Sequence, residues 1–226
     1  MGIDITIVKL EPRRMGEEVE LTVRLAAGEN EDMQKLSVAS KMLFEIGNIG
    51  VGSLPYPLTR EQFDSLEYSA KLWEAVKKGL DLLSYGDNTK SALILKLRSR
   101  GFDKYTAEDA AEYITELGYI DERGIMERAV EQLANAKLYG KSRIKNELYK
   151  KGICREIITE YLPDMLDSID FEANLCKLVK RKCDFDRLFD CKYRESFYAS
   201  MYRLGYSPSE TRTAIKSVME EYEPNA

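Results

Sequence analysis

Seven cations fall between positions 137 and 155: Lys137, Lys141, Arg143, Lys145, Lys150, Lys151 and Arg155. Glu147 is the one acid among them. Positive charge at this density suits an acidic partner or a phosphate backbone. A smaller basic group comprises Lys96, Arg98 and Arg100, and another comprises Lys177, Lys180, Arg181, Lys182 and Arg187. The stretch 156–176 has no Lys or Arg and six acids. A single such charge is ordinarily a solvated helix face; the concentration over 137–155 points to binding.

Bond-making chemistry has few candidates. The chain has no histidine, which excludes Ser-His-Asp and Cys-His nucleophile pairs, a His general base and a His metal ligand. The cysteines at 154, 176, 183 and 191 form no Cys-x-x-Cys pair and read as reduced, buried or half-buried thiols. The glycines at 47, 50 and 52 are followed by Pro55 and Pro57 and by no Gly-Lys-Ser/Thr. They mark a turn, not a phosphate cradle at a helix start. No enzyme, metal or cofactor is expected.

Composition agrees. Of 226 residues, 44% are hydrophobic and 32% charged, with a net charge of -5. That balance describes a folded, charge-rich chain and excludes an overall basic nucleic-acid coat. Residues 1–70 carry 7 Lys/Arg and 12 Asp/Glu, so the acidic excess lies there. The start lacks a basic region followed by an apolar run, and no apolar stretch approaches membrane-span length. The expectation is a cytoplasmic protein with no membrane contact.

Alternation at Ile3, Ile5 and Ile7, and at Val19, Leu21, Val23 and Leu25, predicts two strands over 3–10 and 17–25 with a turn at 12–16. Met33, Leu36, Ala39, Met42 and Leu43 predict a helix over 32–45. Thr59 and Gln62 resemble a capping box, and Leu72, Val76, Leu80 and Leu83 form one apolar stripe. From there onward the chain reads as helical.

The helical part repeats. Leu93, Leu97, Gly101 and Phe102 match Ile144, Leu148, Gly152 and Ile153, and again Phe197, Met201, Gly205 and Tyr206. Apolar residues four apart share a helix face, and the glycine suits a left-handed stop. The glycines stand 51 and 53 residues apart. Behind each, at equal offsets, lie Ala110, Ala111 and Ile114, then Tyr161, Leu162 and Met165, then Ala214, Ile215 and Val218. Longer helices over roughly 69–84, 122–138 and 171–187 precede the units. One such unit cannot bury its apolar surface alone, so neighbours must stack. The predicted fold is mainly α: an elongated tandem array of three three-helix modules with a small N-terminal β-hairpin/α extension. Its expected divisions are 1–68 (extension), 69–120, 121–169 and 170–226.

Over roughly 69–222 the sequence resembles the RecX family of bacterial recombination regulators. The resemblance is carried by Arg100-Gly101-Phe102, by Leu117-Gly118-Tyr119-Ile120-Asp121-Glu122, and by Gly140-Lys141-Ser142-Arg143-Ile144-Lys145-Asn146-Glu147-Leu148-Tyr149-Lys150-Lys151-Gly152-Ile153. The last resembles the family segment Gly-x-x-Arg-Ile-x-x-Glu-Leu-x-x-Lys-Gly-Ile/Val. Leu97, Gly101, Phe102, Gly118, Tyr119, Leu148, Gly152, Ile153 and Gly205 read as structural. The chain departs from the family at Gly124, where Arg is frequent, at Ala92, where Glu is frequent, and at Glu210 and Thr211, where apolar residues are usual.

The resemblance implies a regulator of DNA repair, recombination and the SOS response; a monomer is the expected state. It would bind the RecA nucleoprotein filament, with single-stranded DNA within or beside it, and inhibit its ATPase, strand-exchange and coprotease activities. The expected contact residues are Arg98, Arg100, Lys141, Arg143, Lys145, Lys150 and Lys151. The alternative is a single-stranded-DNA-binding module independent of RecA, in which basic stripes beside Tyr139, Tyr149 and Tyr193 hold the strand through phosphate contacts and stacking. Helix-turn-helix reading of duplex DNA is disfavoured, because the helices after Gly101 and Gly152 are acidic and would be repelled.

Overall fold

The computed structural model describes residues 3–47, 49 and 51–222. Asn48 and Gly50, in the glycine-rich connection, lie outside the described residues. The chain forms two compact units: Met1–Gly86 with Leu93–Tyr119, and Asp87–Ala92 with Ile120–Ala226. Among the described residues no helix is long and apolar enough to cross a membrane.

In the first unit, β1 (Asp4–Arg13) and β2 (Glu18–Ala27) are the two predicted strands, each slightly longer than expected. Their turn runs through Arg14, Met15 and Gly16, all with positive φ. The segment expected as a helix over 32–45 divides in two. Asn30–Ala39 is a third strand, β3, and only Ser40–Ile46 (α1) is helical. Gly28, at φ +64°, closes a two-residue hairpin turn, so β3 pairs with β2 from Ala27↔Asn30 to Glu18↔Ala39. Together with β4 (Tyr56–Pro57) they make an antiparallel sheet in the order β3-β2-β1-β4. The expected hairpin is thus half of a four-stranded sheet.

Alternation puts Ile5, Ile7, Val19, Leu21, Val23 and Val38 into one core with Phe63 and Leu66. The last two lie on α2 (Arg60–Ser84), one unbroken helix. Its start is the predicted capping box: Gln62 N donates to Thr59 Oγ1 at 3.2 Å, and Thr59 N donates to Gln62 Oε1 at 2.9 Å. The later part of α2 packs on α4 (Lys104–Glu116), which follows α3 (Lys90–Arg98).

A buried acid ties the sheet to α2. Glu18, 7% exposed, accepts from Lys77 Nζ at 2.7 Å and from Ser37 Oγ. Burial raises its carboxyl, but the hydrogen bonds from Lys77 and Ser37 and the Lys77 charge outweigh it and hold it at about 2, from 4.5. The folded value is the lower one, so this stabilisation is complete above about 4.5 and is lost as pH falls through about 2. Glu18→Gln is expected to cost about 3 kcal/mol at neutral pH and to flatten the acid limb of stability. Circular dichroism across an acid titration checks it; superimposable limbs for wild type and variant would assign the acid sensitivity elsewhere.

In the second unit, α5 (Glu122–Glu131) is followed by α6 (Lys141–Lys150), α7 (Arg155–Asp167), α8 (Phe171–Lys182), α9 (Cys191–Arg203) and α10 (Pro208–Tyr222). The helix expected to reach 138 changes to a π turn over Gln132–Ala136, and Leu138 adopts φ +54°. The helix expected to reach 187 ends at Lys182, and a 3-10 turn covers Phe185–Arg187. One core gathers apolar residues of α5, α6 and α7, and another those of α8, α9 and α10. The buried Leu138 belongs to the latter, where its carbonyl accepts from Tyr206 Oη at 3.1 Å. Asn174 Nδ2 donates to Ala134 O at 3.1 Å.

Four helices stop in the same way. Gly101, Gly118, Gly152 and Gly205 have φ of +97°, +78°, +76° and +99°. In each case the glycine N–H returns to the carbonyl three residues back, and the next N–H to the carbonyl five back. Phe102 N donates to Leu97 O, Tyr119 N to Ile114 O, Ile153 N to Leu148 O and Tyr206 N to Met201 O. These are Schellman stops; Ile153 and Tyr206 are buried behind their glycines and Phe102 is half-buried, while Tyr119 stays exposed. The third-module departures are also accommodated. Glu210 closes a capping box with Ser207, and the fully buried Thr211 donates its hydroxyl to Ser207 O at 2.9 Å.

Candidate partner-binding surface

Helix α6 is amphipathic. Ile144 and Leu148, four apart, are fully buried and fix its inner face. Lys141, Lys145, Lys150 and the capping residue Lys151 are exposed, and Arg143 is half-buried. These five expected contact residues therefore stand on one helix and its cap. Arg98 and Arg100 are exposed in the first unit, at the end of α3, where Arg100 Nη1 donates to Lys96 O at 3.1 Å.

The cations are unequally engaged. Lys141 meets Asp167 at 3.8 Å and lies over the Phe171 ring at 5.5 Å. Arg143 pairs with Glu147 at 2.9 Å and lies 5.5 Å from the Tyr139 ring. Lys150 also reaches Glu147, at 3.1 Å. That hydrogen bond, with the Arg143 charge, holds the Glu147 carboxyl below the usual carboxylate range. Among the described residues Lys145 and Lys151 have no ion pair.

A backbone joint adds residues that sequence reasoning missed. Gly140 N, at the start of α6, donates to Leu204 O at 2.8 Å. A Cβ on Gly140 would lie 2.4 Å from Gly205 O, and one on Gly205 would lie 2.6 Å from Arg143 N. This close approach leaves a cleft of about 480 Å³ lined by Lys141, Arg143, Asn146, Tyr202 and Arg203. The repeat contained the signal: Tyr202 and Arg203 precede Gly205 at the offsets at which Tyr149 and Lys150 precede Gly152.

The tyrosines differ. Tyr139 is half-buried against the core of α5, α6 and α7. Tyr193 stacks on Phe197 with centroids 6.3 Å apart, and its hydroxyl accepts from Asp184 N at 2.7 Å. Tyr149 is 38% exposed and Tyr202 70%. Cys176 and Cys183 pack against the core of α8, α9 and α10, where burial raises both thiols, while Cys154 and Cys191 are exposed. Among the described residues no group of His, Cys, Asp or Glu could hold a metal ion.

Serial three-helix modules, with cations presented on the middle helix of one of them, define a class of helical-repeat protein. The family model for the second three-helix domain of RecX matches residues 121–162, the span of α5, α6 and most of α7. The regulatory protein RecX of Chlorobium phaeobacteroides (strain BS1) is 28% identical over 146 residues, covering 63% of this chain and 94% of the relative. Those of Finegoldia magna and Clostridioides difficile (strain 630) are 31% and 30% identical, covering 42% and 48% of this chain and 47% and 50% of theirs. A crystal structure of a regulatory protein RecX has the same fold, with a TM-score of 0.59 at 18% identity over 94% of this chain and 99% of that one. RecX from Lactobacillus salivarius gives 0.54 at 22% identity over 66% and 97%. The chain is similar to RecX proteins in sequence over these spans and in fold. These relatives are named as regulators, and no catalytic family is indicated.

Proposed function

We propose that this chain regulates recombination by binding the RecA nucleoprotein filament through the α6 surface, restraining its ATPase, strand-exchange and coprotease activities. One observation carries the reading. The segment with the strongest family resemblance is the helix on which Glu147, the lone acid, is already shared by Arg143 and Lys150, while Lys145 and Lys151 have no ion-pair partner among the described residues. Unpaired cations on an ordered helix suit carboxylates or phosphates presented by a larger assembly. We take 1–68, 69–120, 121–169 and 170–226 as the working divisions. Contacts from several modules would add through avidity, with Arg98 and Arg100 as the first module's contribution. A cytoplasmic setting belongs to the same proposal.

The test is a RecA ATPase assay on single-stranded DNA with this protein titrated in. Lys145→Glu with Lys151→Glu is expected to raise the half-inhibiting concentration by about tenfold or more, with a native circular dichroism spectrum. Lys141→Glu alone should do less, because Asp167 already engages that ammonium. An unaltered inhibition curve for the folded double variant would remove α6 from the contact surface. Single-stranded-DNA binding independent of RecA is the weaker reading, since two of its three tyrosines are packed. Salt-dependent binding to naked strands, with no effect on RecA, would favour it.

A further inference from the structure

β3 is an edge strand of ten residues with no register shift against β2 and no proline. Proteins ordinarily blunt such an edge. Because a two-residue turn separates Ala27 from Asn30, these two form the closing hydrogen-bonded pair, and hydrogen-bonded pairs alternate from there. Asp32, Gln34 and Leu36 therefore direct their backbone groups to β2. Glu31, Met33 and Lys35 direct theirs outward. Met33 N–H agrees: it donates to the Asp32 carboxylate at 2.9 Å.

The same three residues share the exposed face of the sheet, where two rows of alternating charge cross the strands. One runs Asp4–Arg24–Glu31, with contacts of 3.7 and 3.6 Å. The other runs Arg13–Glu20–Lys35, with contacts of 3.6 Å each. The first row ends at the edge on an acid and the second on a base. Met33, between them, is 54% exposed.

We propose that β3 pairs antiparallel with β3 of a second copy, about a two-fold axis at Met33. In that register Glu31 faces Lys35 of the second copy, Met33 faces Met33, and Lys35 faces Glu31. All are residues whose N–H and C=O groups point outward. Each charge row continues into the other row of the second copy without a like-charge neighbour. Sliding by two residues sets Met33 against a charge, and sliding by four sets Glu31 or Lys35 against itself. Backbone and side chains thus select one register, and an isologous one. The monomer expected from the sequence becomes one side of a concentration-dependent equilibrium, weak because the contact is small.

Sedimentation velocity of the full chain over a concentration series tests this. The wild type is expected to shift from monomer to dimer as concentration rises. Glu31→Lys and Lys35→Glu should each weaken association by at least about tenfold, because each homodimer would face like charges. An equimolar mixture of the two variants should recover the dimer. One variant then carries lysine at both positions and the other carries glutamate at both, so every facing pair across the mixed edge is of opposite sign. Met33→Pro removes an N–H that pairs with no strand of its own chain, so it should abolish the dimer while keeping the native circular dichroism spectrum. A wild type that stays monomeric at every concentration overturns the proposal. So does a dimer that persists in the proline variant and in each charge variant alone.

Discussion

Gly205→Ala lowers the stability of the second unit by about 4 kcal/mol, whereas Gly101→Ala costs only about 1–2 kcal/mol. The two glycines have nearly the same conformation, φ +99° and +97°, and end helices with the same pair of hydrogen bonds. The left-handed penalty for an L-residue is therefore common to both. The difference is the surroundings. A Cβ on Gly101 meets nothing within 4 Å, while one on Gly205 lies 2.6 Å from Arg143 N and 2.9 Å from Gly140 O. Backbone cannot rotate away as a side-chain tip can, so α6 and the α9 stop must separate. Thermal melts of the full-length variants check this. Equal melting shifts at the two positions would show that the joint contributes nothing beyond the turn.

The second large effect is expected at Glu122, a carboxylate only 8% exposed. Its Oε1 accepts from Lys90 N and its Oε2 from Cys154 N, both at 2.8 Å. One side chain thus accepts from the opening N–H groups of both α3 and α7. Glu122→Ala removes the acceptor of both part-buried hydrogen bonds and should cost about 4 kcal/mol. Glu122→Gln keeps one accepting oxygen and should cost about half as much. The site-specific check is amide hydrogen exchange at Lys90 and Cys154, expected to accelerate in both variants. Unchanged protection there would mean that the carboxylate is replaceable.

The helical repeat was legible because its signal is local: two apolar residues four apart and a glycine at fixed offset need no knowledge of the rest of the chain. The sheet was harder. Met33, Leu36, Ala39, Met42 and Leu43 fit a helical period, yet Gln34, Leu36 and Val38 form the inner row of β3. Gln34 obscures that row because it is polar, and its amide donates to Glu67, 33 positions away on α2. The cations of α6 were legible as composition. The Glu147 pairs are local to α6, but the Lys141–Asp167 pair reaches α7, and that Tyr202 and Arg203 stand beside these cations depends on the Gly140–Gly205 joint, a contact across the sequence. Leu138 in a left-handed conformation carries no local mark, since neither glycine nor asparagine occupies the position.

The capping of α3 has a consequence for how the chain is made. Lys90 N–H waits for a carboxylate synthesised 32 positions later, and the Thr89 hydroxyl for the Lys151 carbonyl 62 positions later. At ribosomal speeds that second interval is roughly 3–12 s. During vectorial synthesis, then, α3 emerges with its local Thr89 cap, and these two long-range contacts form only when the following repeat has left the exit tunnel.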